Sequence, residues 1–175
     1  MKSLLRLLTA ITFCVSAFSF SSCKKIAADA MARTSEYYMK CKINGVQKDF
    51  PISAINISDT LIYGLAYGAS VAGAPITGTE SVGLILYSQV QFNGNMNFNS
   101  AYIPGTNLCT GNLNYVNTDG DYSYGSEGMN NSNVQVTISA LTATYVKGTF
   151  SGKVKEVDNG TVLTISNGEF YAKRQ

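Results

Sequence analysis

One stretch gathers more potential ligand atoms than any other: Asn117-Thr118-Asp119-Gly120-Asp121-Tyr122-Ser123-Tyr124-Gly125-Ser126-Glu127. Asn117, Asp119, Asp121, Ser123 and Glu127 place side-chain oxygens at alternate positions. That is the donor type a calcium loop needs, because Ca²⁺ is a hard cation that takes oxygens only. The spacing is not that of an EF-hand, since the sixth position from Asn117 is not Gly and Glu127 stands one place early. A solvated turn accounts for the same composition, since Asn, Asp, Gly and Ser are turn residues. Tyr115, Tyr122 and Tyr124 flank the loop, close to Asn112 and Asn114. Aromatic faces beside amide groups suit a sugar or a peptide. Tyrosine is also an ordinary strand residue, and the chain has no Trp, which weakens the carbohydrate reading.

Other chemistry is excluded by composition. The 175 residues include no His, which removes Ser-His-Asp and Cys-His nucleophile pairs and every His-ligated metal site. No Gly-rich phosphate cradle stands between a strand and a helix pattern. Carboxylates are left as the only acid–base groups for a glycan hydrolase, and no spacing among the eleven acids singles out a pair.

The elements that would position such residues begin after a leader. Lys2 and Arg6 precede the apolar run Leu7–Phe18, which Thr and Ser interrupt and which is too short to span a bilayer. Phe20-Ser21-Ser22-Cys23 then puts small residues directly before a cysteine, as in a bacterial lipobox. Residues 1–22 are therefore expected to be a lipoprotein signal peptide, with Cys23 acylated; an ordinary signal peptide cut near Ser22 is the alternative. Two acyl chains on one Cys suffice for stable anchoring. Residues 23–35 read as the lipidated Cys and a tether that reaches at most ~40 Å when extended. Without Lys2 and Arg6, thirteen basic residues become eleven, which matches the eleven acids. A near-neutral mature chain argues against nucleic acid as a partner. Of the four cysteines, Cys41 and Cys109 are left in the mature body. An even pair in an exported chain permits a disulfide, and two small buried hydrophobes are the alternative.

Residues 36–175 read as one all-β domain. Tyr37, Met39, Cys41 and Ile43 alternate with Tyr38, Lys40 and Lys42; Asn44-Gly45 is a hairpin turn signal, and Val46–Phe50 returns. Val134–Ala140 and Val146–Val154 alternate again, as half-buried strands do. Asp158-Asn159-Gly160 marks a tight turn, and Asn167-Gly168 a second turn or bulge between Val162–Ile165 and Glu169–Lys173. Leu61–Tyr67 and Val82–Tyr87 are the expected central strands, with Gly68–Glu80 as a loop of small residues. Weaker strands are expected at Met96–Ile103 and Asn112–Val116. About nine or ten short strands predict an antiparallel β-sandwich, or else a small closed, lipocalin-like β-barrel.

Lys42-Ile43-Asn44-Gly45, Val146-Lys147-Gly148-Thr149-Phe150-Ser151-Gly152 and Thr164-Ile165-Ser166-Asn167-Gly168-Glu169-Phe170 together resemble a Bacteroidota lipoprotein family of unknown function. The resemblance covers the two ends of the domain, about a third of the chain, with Phe50 where the family has an aromatic residue. It implies a β-sandwich tethered to the outer membrane and brings no catalytic residue with it. The expected function is a non-catalytic envelope module, lipid-anchored in the outer membrane. It would be structural or would bind a glycan, a peptide or a neighbouring envelope protein. The periplasmic side is favoured over the cell surface, because Lys24-Lys25 stands where an acidic surface-export run would. The alternative is a carboxylate-based hydrolase acting on glycans.

Overall fold

The computed structural model describes residues 36–58, 60–61, 65–100, 109–117, 123–126, 129, 131–156 and 160–175, with the backbone alone at Ile52, Ser123 and Tyr124. Cys23 and the tether lie outside these residues. The domain is all-β. Among the described residues there are eleven strands, β1 (Tyr38–Ile43), β2 (Val46–Phe50), β3 (Ile52–Ile57), β4 (Tyr67–Ala74), β5 (Ser81–Ser88), β6 (Met96–Asn99), β7 (Cys109–Val116), β8 (Ser123–Gly125), β9 (Gln135–Leu141), β10 (Tyr145–Glu156) and β11 (Val162–Arg174). Among the described residues, no helix is long and apolar enough to cross a membrane.

The strands form two antiparallel layers joined at thin seams. One layer runs β2-β1-β11-β10-β9-β6 and the other β3-β4-β5-β7. Two short parallel contacts link them: β11 with β3, at Lys173↔Ala54 and Arg174↔Ile55, and β6 with β7, at Asn99↔Thr110. The three-residue β8 bridges β7 and β10. The expected sandwich is thus present, with its two layers hydrogen-bonded at the edges. The layers meet face to face: a Cβ on Gly73 of β4 would lie 2.7 Å from Cβ of Met39 on β1, and one on Gly111 of β7 would lie 3.6 Å from Val136 on β9. Between them lies one core that includes Met39, Phe50, Leu84, Leu113, Phe150 and Phe170. Burying each of these side chains contributes roughly 1.5–3 kcal/mol, so the core drives folding.

Local signals explain most of the layer that begins and ends the domain. Asn44 and Gly45 take φ of +48° and +83°, the turn that lets a two-residue hairpin keep its strand twist. Asn44 also clasps β11: its N–H donates to the Thr164 carbonyl at 2.9 Å, and its Oδ1 accepts from the Thr164 N–H at 2.8 Å. β11 is one strand of 13 residues, not two pieces. Asn167-Gly168 marks a bulge within it: Phe150 pairs with Gly168 and Gly152 with Ile165, so Ser166 and Asn167 oppose the single residue Ser151. Asn167 takes φ +52° there.

The middle departs from expectation. Of the strand expected at Leu61–Tyr67, residues 62–64 lie outside the described residues; Leu61 and Leu65 are exposed, and β4 begins at Tyr67. Residues expected as the small-residue loop instead form β4, where the absence of side chains lets Gly73 pass against Met39.

Candidate functional site

The alternation along β1, β9, β10 and β11 sends one set of side chains into the core and the other to a single outer face. On that face the register places Asn97, Thr137, Thr149, Glu169, Lys40 and Asp49 in one row across six strands. The β11 bulge interrupts the pleat beside this row, and bulges commonly re-aim side chains next to binding sites. An open groove of about 590 Å³ lies there. It is lined by Gln135, Thr137, Thr149, Ser151, Ser166, Asn167 and Glu169, with Phe150 and Gly168 in the floor. Apart from Glu169, its polar lining is neutral: hydroxyls and amides that both donate and accept hydrogen bonds.

Four tyrosines cluster on the same face beyond Glu169, outside the lining of the groove. The Tyr171 ring lies 5.1 Å from that of Tyr37, 6.3 Å from that of Tyr38 and 5.0 Å from that of Tyr145, the last two edge-on. Lys147 Nζ stands 4.4 Å over the Tyr171 ring and 5.4 Å over that of Tyr145. Edge-on pairs and ammonium-over-ring contacts each exploit the ring quadrupole, so the cluster has a fixed shape.

Glu169 joins cluster and groove. It accepts a short hydrogen bond from the Tyr38 hydroxyl and an ion pair from Lys40 at 3.0 Å. The bond from Tyr38, then that from Lys40, holds its carboxyl below the usual glutamate range. The same carboxylate raises the pKa of Tyr38 and of Lys40. Tyr171 donates to Glu36 at 2.9 Å, and that bond is the first cause of its pKa rising to about 12. The arrangement presents a fixed anion, aromatic edges and a concave strip of neutral hydrogen-bonding groups.

The loop singled out by sequence is divided. Asp119, Asp121, Tyr122 and Glu127 lie outside the described residues. Tyr115 is not a ligand-facing residue: it is buried, and its hydroxyl donates to Glu80 at 2.8 Å, a carboxylate also paired with Lys48 at 2.8 Å. Ser123 and Tyr124 belong to strand β8 and not to a loop, and Tyr124 pairs with both Tyr115 and Glu156. Asn117 Oδ1 and Glu156 Oε1 are buried without a hydrogen-bond partner among the described residues. Among the described residues, no three His, Cys, Asp or Glu come together as metal ligands.

Cys41 and Cys109, for which the sequence left a disulfide and two unpaired thiols both open, are free. Cys41 stands in β1 opposite Lys48, whereas Cys109 starts β7 in the other layer opposite Ser88. Burial pushes the Cys41 thiol up to about 12, and the nearby carboxylates of Glu80 and Asp49 add to the shift.

Sequence reasoning missed Tyr37, Tyr38, Tyr145 and Tyr171 as a group because the chain separates them; Tyr38 and Glu169 are 131 residues apart. The available signal was the polar set of the alternating strands, in which Lys147, Thr149, Ser151 and Lys153 share a face. In comparisons with known proteins, no family model, no curated protein and no solved structure matches the chain.

Proposed function

We propose that this chain is an outer-membrane lipoprotein, anchored through Cys23, whose β domain is a non-catalytic module that binds a glycan in the groove over β9, β10 and β11. The observation that carries the binding reading is the groove itself: 590 Å³, lined by hydroxyls and amides, with a packed tyrosine cluster on the same face joined to it through Glu169. Sugars present hydroxyl rims and apolar ring faces, and this surface offers a partner for each. Its residues sit on long paired strands, which hold them with little conformational entropy left to lose on binding. The lining favours this reading over the hydrolase, because a glycosidase needs two carboxyl groups across its substrate and Glu169 is the one carboxylate among the described residues that line the groove.

The leader supports the anchor, the resemblance to Bacteroidota lipoproteins supports the outer membrane, and Lys24-Lys25 supports its periplasmic face. A glycan panel screened with the wild type and with Tyr171→Ala tests the binding reading. The wild type is expected to bind and the variant to lose about two- to tenfold, the scale of one aromatic contact. Equal binding by both refutes the site. Hydrolysis of a bound glycan, lost in Glu169→Gln, would instead favour the enzyme. Cys23→Ala is expected to move the protein to the soluble fraction and abolish fatty-acid labelling; retention in the membrane refutes the anchor. Proteinase treatment of intact cells should leave the domain whole, and its degradation without lysis would place it on the surface.

A further inference from the structure

The outer face that holds the groove is basic. Lys40, Lys42, Lys147, Lys153, Lys155 and Lys173 all project from the polar side of β1, β10 and β11. Among the described residues, the acids on the same face are fewer: Glu169 pairs with Lys40, Glu36 accepts from Tyr171, and Asp49, opposite Lys40, accepts from Gln47 at 2.9 Å. Among the described residues, Lys42, Lys147 and Lys153 have no carboxylate within ion-pair distance. Yet the mature chain is near neutral, so this is a local excess and not a general one.

These three lysines are placed with respect to the groove. Lys42 stands opposite Ser166 on one side of the β11 bulge, and Lys153 opposite Thr164 on the other side of the same strand. Lys147 marks the far end, over the Tyr171 ring. Along β10, Lys147 and Lys153 are six residues apart, about 20 Å at ~3.3 Å per residue. Cations therefore stand at both ends of a hydrogen-bonding floor that is neutral but for Glu169, whose charge Lys40 pairs. That spacing fits an extended chain carrying several acidic groups better than one terminal acid. The hydroxyls and amides between the cations also favour a hydroxyl-rich polymer over a charged membrane surface.

We infer that the ligand of this groove is an acidic saccharide, whose carboxylates meet Lys42 and Lys153 at the bulge and Lys147 beside the tyrosines. The inference rests on the glycan-binding reading above and adds the charge of the glycan.

Oligogalacturonate and its methyl ester, which share a backbone and differ in charge, are the probes, titrated calorimetrically against the full-length protein in neutral detergent. The acid form is expected to bind more tightly than the ester and to weaken as salt rises, because exposed charges are screened over about 8 Å at physiological ionic strength. Lys42→Gln and Lys153→Gln should each weaken the acid form by about two- to fivefold, the effect of one exposed ion pair, and leave the ester unchanged. Equal or tighter binding of the ester overturns the inference and leaves the groove a glycan site. Silence from both probes overturns the inference, and silence from a neutral glycan panel as well removes the binding reading with it. Binding to phosphatidylglycerol vesicles by the Cys23→Ala chain, lost in the lysine variants and unaccompanied by saccharide binding, would assign these lysines to a membrane surface and also overturn it.

Discussion

Gly168→Ala tests the register that builds the groove. Gly168 lies in the floor, opposite Phe150 across β10 and β11. A Cβ there would lie 2.4 Å from the Phe150 carbonyl oxygen and 2.6 Å from its ring. Both are closer than van der Waals contact allows. The carbonyl belongs to a paired central strand and the ring to a buried side chain, so neither yields cheaply. Overpacking of this kind costs about 1–3 kcal/mol. Removing a glycine from the unfolded chain returns only about 0.4–1 kcal/mol, so the clash decides the sign. The net loss of about 1–2 kcal/mol should lower Tm by roughly 3–10 °C for a domain of this size. Thermal unfolding followed by circular dichroism measures it. Gly45→Ala is the comparison: nothing lies within 4 Å of its Cβ, so its cost comes from φ +83° alone. A Gly168→Ala protein as stable as the wild type would mean that Phe150 does not face Gly168, and the bulge would be misplaced.

Two further predictions concern titration and thiol access. Glu169 has a depressed pKa in the folded state, so its contribution to stability is present above the ordinary glutamate range and lost as pH falls through the lower folded value. Urea midpoints should fall more in the wild type than in Glu169→Gln as pH drops below the ordinary glutamate range; because the side chain is 43% exposed, the difference is small, well under about 1 kcal/mol. Identical profiles would refute the Tyr38–Glu169–Lys40 linkage. Cys41, buried with its pKa near 12, should resist iodoacetamide at pH 8 until the chain is denatured, while half-buried Cys109 is alkylated first. Non-reducing peptide maps should show no Cys41–Cys109 link, and finding one would refute the free-thiol assignment.

The hairpin at Asn44-Gly45 and the alternating strands β9 and β10 were legible because their signals are local: two turn residues that accept positive φ, and a period of two. The motif residues at the two ends of the domain have structural roles. Asn44 clasps Thr164, Gly148 leaves room for the Phe170 ring, which a Cβ would meet at 2.4 Å, and Asn167-Gly168 forms the bulge. β3 and β4 were not legible, because Ile52 follows Pro51 and because Gly68, Ala69, Ala72 and Gly73 look like loop residues until Met39 is seen against them. The loop at 117–127 drew attention through composition, which records donors but not direction. Tyr115 points into the core at Glu80, whereas the tyrosines that gather at the surface come from opposite ends of the chain. That convergence depends on β1 pairing with β11, a contact no local pattern encodes.

Backbone amide shift mapping by NMR during titration with oligogalacturonate tests the groove most directly. Shifts should concentrate at Thr137, Thr149, Ser166, Asn167 and Tyr171 and spare Ile85, Asn112 and Asn114 on the outer face of the other layer. Shifts confined to the β5–β7 face, or spread evenly over the domain, would contradict the assignment of the binding site to β9, β10 and β11.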